Sequence, residues 1–332
     1  MSRVVVIGGG VIGTAVAERL SRDRHQVTLL ERDQLGGRAS GAAAGELSPS
    51  TRPGDKESLS MFPELVARIE KDSAMNVEYR VQQGLIAAFT DDEAKALRAG
   101  SERWLDAAEC REVEPALSPD IIGAVPIEHA HLTPPRFVRA MARAAAARDA
   151  EICEGTPAIG FDIEREVRSV TTPAGSIKAD WFVIAAGPWS REVASAAGID
   201  VDVRPQRGQL ASLDPGSMVL RRSIFWSTAY LVPKGDGSII VGGTEEDSGF
   251  DDRPTAEGIA ELLGVAQRLA PGLGHANLQR AWAGLRPMTR DGSPIVAKTA
   301  IPNLIIATGH HRKGILLAPL AAATVADLIE NA

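Results

Sequence analysis

The chain has 332 residues, of which 44% are hydrophobic and 24% charged, and its formal net charge is −7 at pH 7. This length suggests about two domains with enough surface to bury a real core. The acidic balance argues against nucleic acid as the main partner. Two cysteines, Cys110 and Cys153, cannot build a disulfide framework and fit a reducing compartment. With no signal peptide and no membrane-spanning window in view, we expect a soluble cytoplasmic protein.

The first thirty residues predict a dinucleotide-binding unit. The apolar run Val4–Ile7 is typical of a buried strand, and G-x-G-x-x-G follows at Gly8, Gly10 and Gly13. A helical pattern comes next, and then a second strand that ends at Glu31. The glycines permit a tight turn, close approach to a pyrophosphate and close packing of helix and strand, while the acidic residue suits a ribose hydroxyl. By itself this unit leaves NAD and FAD open.

The next segments predict helices and strands of mixed type. Residues 36–45 are almost all small, which would let backbone lie against a large flat group; a flexible loop or tight helix packing is the alternative. Apolar spacing predicts a helix over 58–71, and residues 77–89 read as a strand pair broken at Gly84. Thr90 and Glu93 have the spacing of a capping box.

Further along, residues 136–148 form a helical pattern and residues 181–184 a buried strand. That strand ends in small residues, Ala185 to Ser190, at the edge where open α/β sheets bind ligands.

From residue 203 to 286 the sequence pattern is typical of antiparallel strands. Residues 230–233 and 238–242 flank a Gly-rich turn and predict a hairpin, and residues 255–270 predict an amphipathic helix. A buried strand at 303–307 and a helix at 315–330 complete the chain. The fold class is therefore α/β (α+β overall), with a Rossmann-like domain at 1–75, 130–200 and 290–332. It is interleaved with an antiparallel-sheet domain at 76–129 and 201–289.

Three segments carry a family resemblance: residues 40–45 (SGAAAG), residues 281–287 (AWAGLRP) with Asp291-Gly292, and residues 309–319 (GHHRKGILLAP). Over essentially its whole length the chain resembles the FAD-dependent D-amino-acid-oxidase superfamily, and within it the glycine-oxidase branch. The resemblance implies an FAD-binding domain, an antiparallel substrate domain and oxidation of an amine beside a carboxylate. Hydride would pass from the substrate Cα to flavin N5, with oxygen as acceptor and hydrogen peroxide as product. Since neither cysteine lies in a motif for covalent attachment, noncovalent FAD is expected.

The resemblance also implies roles for substrate-binding residues. Arg286 would hold the substrate carboxylate in a bidentate pair, with a structural ion pair as the alternative. Tyr230 would help to hold that carboxylate, or would be a core aromatic. Arg312 would lie near substrate and flavin. Glu46 and Glu245 stand where apolar residues are common, so they are either exposed acids or pocket residues that bind a cationic group or restrict the substrate to a small amine.

The motifs and the resemblance together imply a larger set of cofactor-binding residues, which includes the N-terminus of the last helix, directed at the flavin pyrimidine ring. They are Gly8, Gly10, Val11, Ile12, Gly13, Glu31, Arg32, Arg38, Ser40, Ala43, Ala44, Gly45, Pro157, Ala186, Gly187, Trp189, Gly284, Arg286, His311, Arg312, Lys313, Gly314, Ile315 and Leu316. His310 and His311 are assigned packing or supporting roles, and no metal site is expected. Lys313 stands where asparagine is typical and would alter the flavin environment.

The expected substrate is a small amino acid or amine such as glycine, sarcosine or an N-substituted glycine. Three alternatives stay open: a dehydrogenase that passes electrons to an acceptor other than oxygen, an FAD-binding protein without amine chemistry, and an NAD enzyme. The remaining expectations are a homo-oligomer with no nucleic-acid partner and no membrane partner.

Overall fold

The structure is a computed structural model that describes residues 1–50, 52 and 54–331. Its strands are β1 (Arg3–Ile7), β2 (Gln26–Leu30), β3 (Glu46–Leu47), β4 (Arg80–Ala88), β5 (Leu105–Asp106), β6 (Gly123–His131), β7 (Glu151–Cys153), β8 (Gly160–Ile163), β9 (Val167–Thr172), β10 (Gly175–Lys178), β11 (Trp181–Ile184), β12 (Val203–Asp214), β13 (Ile224–Trp226), β14 (Ala229–Pro233), β15 (Ile239–Gly242), β16 (Asn277–Thr289), β17 (Ile295–Lys298) and β18 (Leu304–Thr308).

The α-helices are α1 (Val11–Arg22), α2 (Ala39–Ala42), α3 (Asp55–Ser60), α4 (Phe62–Ser73), α5 (Asp91–Ala99), α6 (Ala107–Val113), α7 (Pro134–Ala146), α8 (Ser190–Ser195), α9 (Ala256–Leu269) and α10 (Gly314–Glu330). Short 3₁₀ turns lie at Gly187–Trp189, Pro271–His275 and His311–Lys313.

The chain divides into two compact units. Unit 1 comprises Met1–Tyr79, Leu132–Gln206 and Leu285–Ala332, and unit 2 comprises Arg80–His131 and Arg207–Gly284. Each unit is therefore assembled from separate stretches of the chain.

Unit 1 is built on a sheet with the strand order β17-β18-β11-β1-β2-β7, which is parallel except for the antiparallel edge strand β17. The β-branched run in β1 occupies its centre because both faces are covered, and Val4 to Ile7 are all buried. Helix α1 packs against α7 and α10. A small antiparallel sheet of β8, β9 and β10 adds to the same unit. This confirms the predicted Rossmann-like architecture.

Unit 2 contains a largely antiparallel sheet in which neighbours run β12, β15, β14, β13, β4 and β6, with β13 parallel to β4. Its core joins one face of these strands to α9 through Leu85, Leu213, Leu231 and Leu262. The predicted hairpin is present as β14 and β15. The predicted antiparallel sheet is thus confirmed.

Two local predictions were wrong. Residues 77–89 are not a broken strand pair, because β4 runs unbroken beside β6 from Arg80 to Ala88. Gly84 is present for another reason: a Cβ there would lie 2.9 Å from the Phe225 ring. The helix predicted over 58–71 is two helices, α3 and α4. Pro63 has no N–H to donate to the carbonyl four residues earlier, so the first helix ends at Ser60.

The capping box was predicted correctly. The Thr90 hydroxyl accepts a hydrogen bond from the Glu93 amide at 3.2 Å, and the Glu93 carboxylate accepts one from the Thr90 amide at 3.2 Å. Within the described residues, no helix combines the length and apolar character needed to cross a bilayer.

Candidate active site

The glycine turn between β1 and α1 leaves no room for side chains. Gly8 has a φ of +115°, and a Cβ there would lie 2.4 Å from the Ala185 carbonyl oxygen. At Gly13, a Cβ would lie 1.8 Å from the Gly8 carbonyl oxygen. Gly10 is the N-cap residue of α1 and supplies no side-chain cap, so the turn presents backbone at the helix N-terminus. This is the geometry that binds a pyrophosphate.

Glu31 lies directly beside that turn. One carboxylate oxygen accepts a hydrogen bond from the Gly9 amide at 2.7 Å, and the other accepts from the Asp33 amide at 2.8 Å. The Glu31 carbonyl also accepts from the Thr156 amide at 2.8 Å, which places the half-buried Pro157 next to this corner. The acidic residue is therefore held at the end of β2, where the ribose of a dinucleotide is bound in this fold.

Two arginines that follow Glu31, Arg32 and Arg38, form a cationic cluster beside the Trp189 ring. The Arg32 guanidinium stacks 4.0 Å from the centre of the Trp189 ring, and Arg38 lies 5.9 Å from it. Both arginines pair with Asp33, at 3.4 Å and 2.8 Å. The pKa of Asp33 is lowered, chiefly by the hydrogen bond from Arg38. Three predicted cofactor residues, the exposed Arg32 and Arg38 and the half-buried Trp189, are thus brought together.

The small-residue segment has its own packing reasons. The Ser40 hydroxyl accepts a hydrogen bond from the Val11 amide at 2.9 Å, which joins the segment to the start of α1. A Cβ at Gly41 would lie 2.2 Å from the Gly36 carbonyl, and one at Gly45 would lie 2.0 Å from the Leu132 carbonyl. These two glycines therefore serve tight packing within the protein. Ala43 is half-buried and Ala44 is buried.

The turn before α10 follows β18. His311 has a φ of +48°, and its ring nitrogen Nε2 lies 2.5 Å from the side-chain oxygen of Gln206. The Thr308 hydroxyl donates to the Gly187 carbonyl at 2.9 Å, which joins this turn to the edge after β11 that includes Ala186. Gly314 begins α10, and Ile315 and Leu316 are buried in its first turn.

His310, which the sequence analysis assigned a packing or supporting role, lies in the same turn. It is 3% exposed, and neither ring nitrogen has a hydrogen-bond partner within the described part of the chain. Burial lowers the pKa of His310 to about 4, so the ring is neutral near pH 7. An unpartnered buried imidazole is costly and suits a site where a bound group supplies the partner. One sequence contains no signal that separates such a histidine from one in the core.

The five predicted substrate residues are divided between the units. Arg286 on β16, Arg312 and Glu46 on β3 belong to unit 1; Arg286 and Glu46 are half-buried, and Arg312 is exposed. Tyr230 and Glu245 belong to unit 2, where Glu245 is exposed.

Tyr230 covers a glycine on the neighbouring strand. It pairs in register with Gly242, and a Cβ at Gly242 would lie 2.6 Å from the Tyr230 hydroxyl oxygen. Gly284, a predicted cofactor residue, is half-buried on β16. Among residues 1–50, 52 and 54–331, no group of three or more His, Cys, Asp or Glu side chains has the arrangement of a metal site.

The parallel sheet, the glycine turn and the held Glu31 define a dinucleotide-binding protein. Comparison with known proteins makes the class specific: the family model of FAD dependent oxidoreductases (DAO) matches residues 3–328. The chain belongs to this family, and it is an FAD-dependent enzyme. The resemblance read from the sequence is thereby confirmed.

Relatives of known name cover nearly the whole chain. Glycine oxidase of Bacillus licheniformis is 31% identical over 98% of this chain and 92% of its own length. The bifunctional protein ThiO/ThiG of Trichormus variabilis is 34% identical over 98% of this chain, which spans 52% of that protein. The crystal structure of glycine oxidase from Bacillus cereus superposes with a TM-score of 0.94 at 32% identity, over 100% of this chain and 95% of that one.

The residues present fit FAD. The glycine turn has a cradle that a Cβ at Gly8 or Gly13 would fill, and the buried His310 ring has two nitrogens that lack partners in the described chain. Gly8, Gly10 and Gly13 would hold the pyrophosphate and Glu31 the ribose, as the fold requires.

Proposed function

We propose that this protein oxidises a small α-amino acid or amine, with glycine, sarcosine or another N-substituted glycine as substrate. With an amino acid as substrate, the amino acid, water and oxygen give an oxo acid, ammonia or an amine, and hydrogen peroxide; a simple amine gives an aldehyde or ketone in place of the oxo acid. Bound FAD would supply the acceptor for the two electrons, as a hydride from the substrate Cα. The observation that supports this most is that proteins named glycine oxidase align with 98% of the chain.

Positioning is the main task of the protein in this chemistry. A substrate whose Cα hydrogen already points at the acceptor needs no protein acid or base, so binding groups outweigh proton-transfer groups. Arg286 has the planar fork that a carboxylate accepts in two parallel hydrogen bonds. Tyr230 and Arg312 are the additional carboxylate and substrate contacts in this proposal.

Glu46 and Glu245 are the proposed determinants of substrate choice. Each places a carboxylate where the family resemblance implies an apolar side chain, and a carboxylate near the substrate would favour a cationic group. Replacing both with methionine and comparing turnover on glycine, sarcosine and basic amines tests this. An unchanged preference would mean that neither acid contacts the substrate.

The proposal also includes noncovalent FAD, a cytoplasmic location and a homo-oligomer. Treating the FAD-loaded protein with acid and pelleting the polypeptide would release noncovalent FAD into the supernatant, whereas covalently attached FAD would pellet with the chain. Size-exclusion chromatography with light scattering measures the assembly state.

Oxygen as the acceptor is tested by stoichiometry. One molecule each of oxygen consumed and peroxide released per molecule of glycine or sarcosine lost is expected. Substrate loss that requires an added dye or quinone and releases no peroxide would instead identify a dehydrogenase.

A further inference from the structure

Helices α1 and α10 begin side by side. They follow β1 and β18, which lie parallel to β11 on either side of it in the sheet of unit 1. A Cβ on Gly314, the first residue of α10, would lie 3.9 Å from the side chain of Val11, the first residue of α1. Further along, Ala15 of α1 and Pro319 of α10 line the same cleft. The two helices therefore run in the same direction, with their N-termini together at the glycine turn.

This arrangement concentrates positive charge at one place. The N-terminus of a helix carries about half a positive charge, and here two such ends lie next to each other. An anion bound at this place offsets their repulsion, which agrees with the pyrophosphate that the glycine turn would hold. The position of the α10 N-terminus therefore bears on how tightly FAD is held.

Lys313 adds a full positive charge to the two helix ends. It is the N-cap residue of α10 and provides no side-chain cap, and a cation is unfavourable at a helix N-terminus. Its ammonium nitrogen lies 3.4 Å from a carboxylate oxygen of Asp55, and the two side chains are 27% and 1% exposed. The ammonium group also donates a hydrogen bond to the Ser48 carbonyl. The lysine is therefore matched by a buried acid.

Asp55 is both charged and fixed in place. The oxygen that meets Lys313 also accepts from the Ser50 amide at 2.8 Å and from the Ser50 hydroxyl at 2.7 Å. Burial acts to raise the pKa of Asp55, but the Ser50 hydrogen bonds and Lys313 outweigh it and leave the pKa lowered. One turn further along, the Ser58 hydroxyl donates to the Leu316 carbonyl at 2.6 Å. Helix α3 is thus joined to the first turn of α10 by an ion pair and a hydrogen bond.

We infer that Lys313 and Asp55 are positioning residues for FAD, because their ion pair balances the charge at the start of α10 and holds that helix end beside the N-terminus of α1. Loss of either partner leaves one charge without its counter-ion in a largely buried place, which displaces the first turn of α10. The arrangement that binds FAD then becomes a smaller fraction of the population, and the apparent dissociation constant rises by the inverse of that fraction. The inference holds for any substrate of the enzyme.

Equilibrium dialysis of the FAD-loaded protein against graded concentrations of FAD measures the dissociation constant without turnover. The variants are Asp55→Asn, Lys313→Met, Lys313→Arg and the double variant Asp55→Asn/Lys313→Met. The matched control is Arg68→Met, which breaks another ion pair of unit 1. There, Arg68 Nε lies 3.0 Å from a Glu18 carboxylate oxygen, and the two side chains are 21% and 3% exposed. Urea unfolding of the FAD-free proteins compares the losses of stability.

We expect Asp55→Asn and Lys313→Met each to raise the dissociation constant of FAD about tenfold, and Lys313→Arg to leave it near the wild-type value. The double variant should stay within about threefold of wild type, because no charge is left unmatched. Arg68→Met should lower the stability of the FAD-free protein as much as Lys313→Met does, with little change in FAD affinity.

Three results would overturn the inference. Tighter FAD binding by Asp55→Asn would mean that the lysine attracts the cofactor phosphates directly. A loss of FAD affinity in Arg68→Met as large as that in Lys313→Met would mean that general loss of stability explains both. If a single variant fails to fold, the double variant still decides the question, since a tenfold loss of affinity in it would exclude charge balance as the cause.

Discussion

Replacing Glu246 with alanine would remove a carboxylate of unit 2 that accepts four side-chain hydrogen bonds. One oxygen accepts from Arg207 Nε at 2.9 Å and from Arg207 Nη2 at 2.5 Å. The other accepts from Gln209 at 2.7 Å and from the Thr244 hydroxyl at 2.8 Å. The backbones of residues 207 and 246 also exchange two hydrogen bonds. This network holds the segment that carries Glu245 against β12.

The loss of stability expected for Glu246→Ala follows from the burial of the Arg207–Glu246 ion pair. The Arg207 side chain is 10% exposed and that of Glu246 is 28% exposed, so alanine would leave a largely buried guanidinium without its main counter-ion. Breaking a fully buried pair costs about 3–5 kcal/mol, and the partial exposure of Glu246 reduces this to about 2–3 kcal/mol. Part of the Arg207 charge stays compensated, because Asp251 lies 3.8 Å away.

The destabilisation caused by Glu246→Ala should become smaller as the pH falls. Burial acts to raise the pKa of Glu246, but hydrogen bonds from Gln209, Arg207 and Thr244 outweigh it and hold the pKa below its ordinary value of 4.5. A lowered carboxyl pKa stabilises the folded state above the unfolded pKa, and this stabilisation is lost as the pH falls through the lower folded value. Glu246→Ala should therefore cost most near neutral pH and progressively less below about pH 4.5.

The assay is urea unfolding followed by intrinsic fluorescence, with Asp202→Ala as the matched control. Asp202 also pairs with an arginine, at 3.1 Å, but the Arg290 and Asp202 side chains are 89% and 56% exposed. An exposed pair of this kind contributes about 0–1 kcal/mol. If Glu246→Ala is no more destabilising than Asp202→Ala, or if its cost does not fall in acid, the assigned role of the network is wrong.

Three further predictions concern the cofactor and substrate residues. Gly13→Ala should abolish FAD retention on purification, because the added Cβ would lie 1.8 Å from the Gly8 carbonyl, whereas Gly264→Ala, with nothing within 4 Å, should retain FAD fully. The free energy of unfolding of the FAD-free protein should fall between about pH 6.5 and pH 4, because the pKa of His310 is lowered in the folded state and unfolding therefore takes up a proton in this range. His310→Gln should make this fall smaller. Arg286→Ala should raise KM for glycine by about two orders of magnitude, with little change for an amine that lacks a carboxylate. Equal losses on both substrates would contradict carboxylate binding.

The sequence was most informative where backbone geometry dictates residue type. The spacing of Gly8, Gly10 and Gly13 predicted the β1–α1 turn because no side chain fits there at the first and last of these positions. The run Val4–Ile7 predicted a central strand because both of its faces are buried.

Glycine alone was a poor guide elsewhere. Gly84 interrupts a strand pattern, yet it permits the approach of the Phe225 ring from a distant part of the chain. Gly41 and Gly45 pack against protein carbonyls, which fits the tight-packing alternative for that segment. A lone glycine indicates that space is short at its position, but it does not identify the neighbour.

Contacts between distant residues could not be predicted from one sequence. His311 meets Gln206 across 105 positions, and Ser48 meets Lys313 across 265. No local pattern encodes such pairs, because they depend on how α10 and the strands of unit 1 come together. Lys313 was recognised as unusual, but only the structure showed that it pairs with the buried Asp55.

This protein is proposed to oxidise a small amino acid with its bound FAD. The most direct measurement is the absorbance of the FAD-loaded protein after anaerobic addition of a panel of amino acids and amines. We predict that glycine, sarcosine or another N-substituted glycine bleaches the flavin completely. A flavin that stays oxidised with every member of the panel, yet is reduced by dithionite, would contradict the claim.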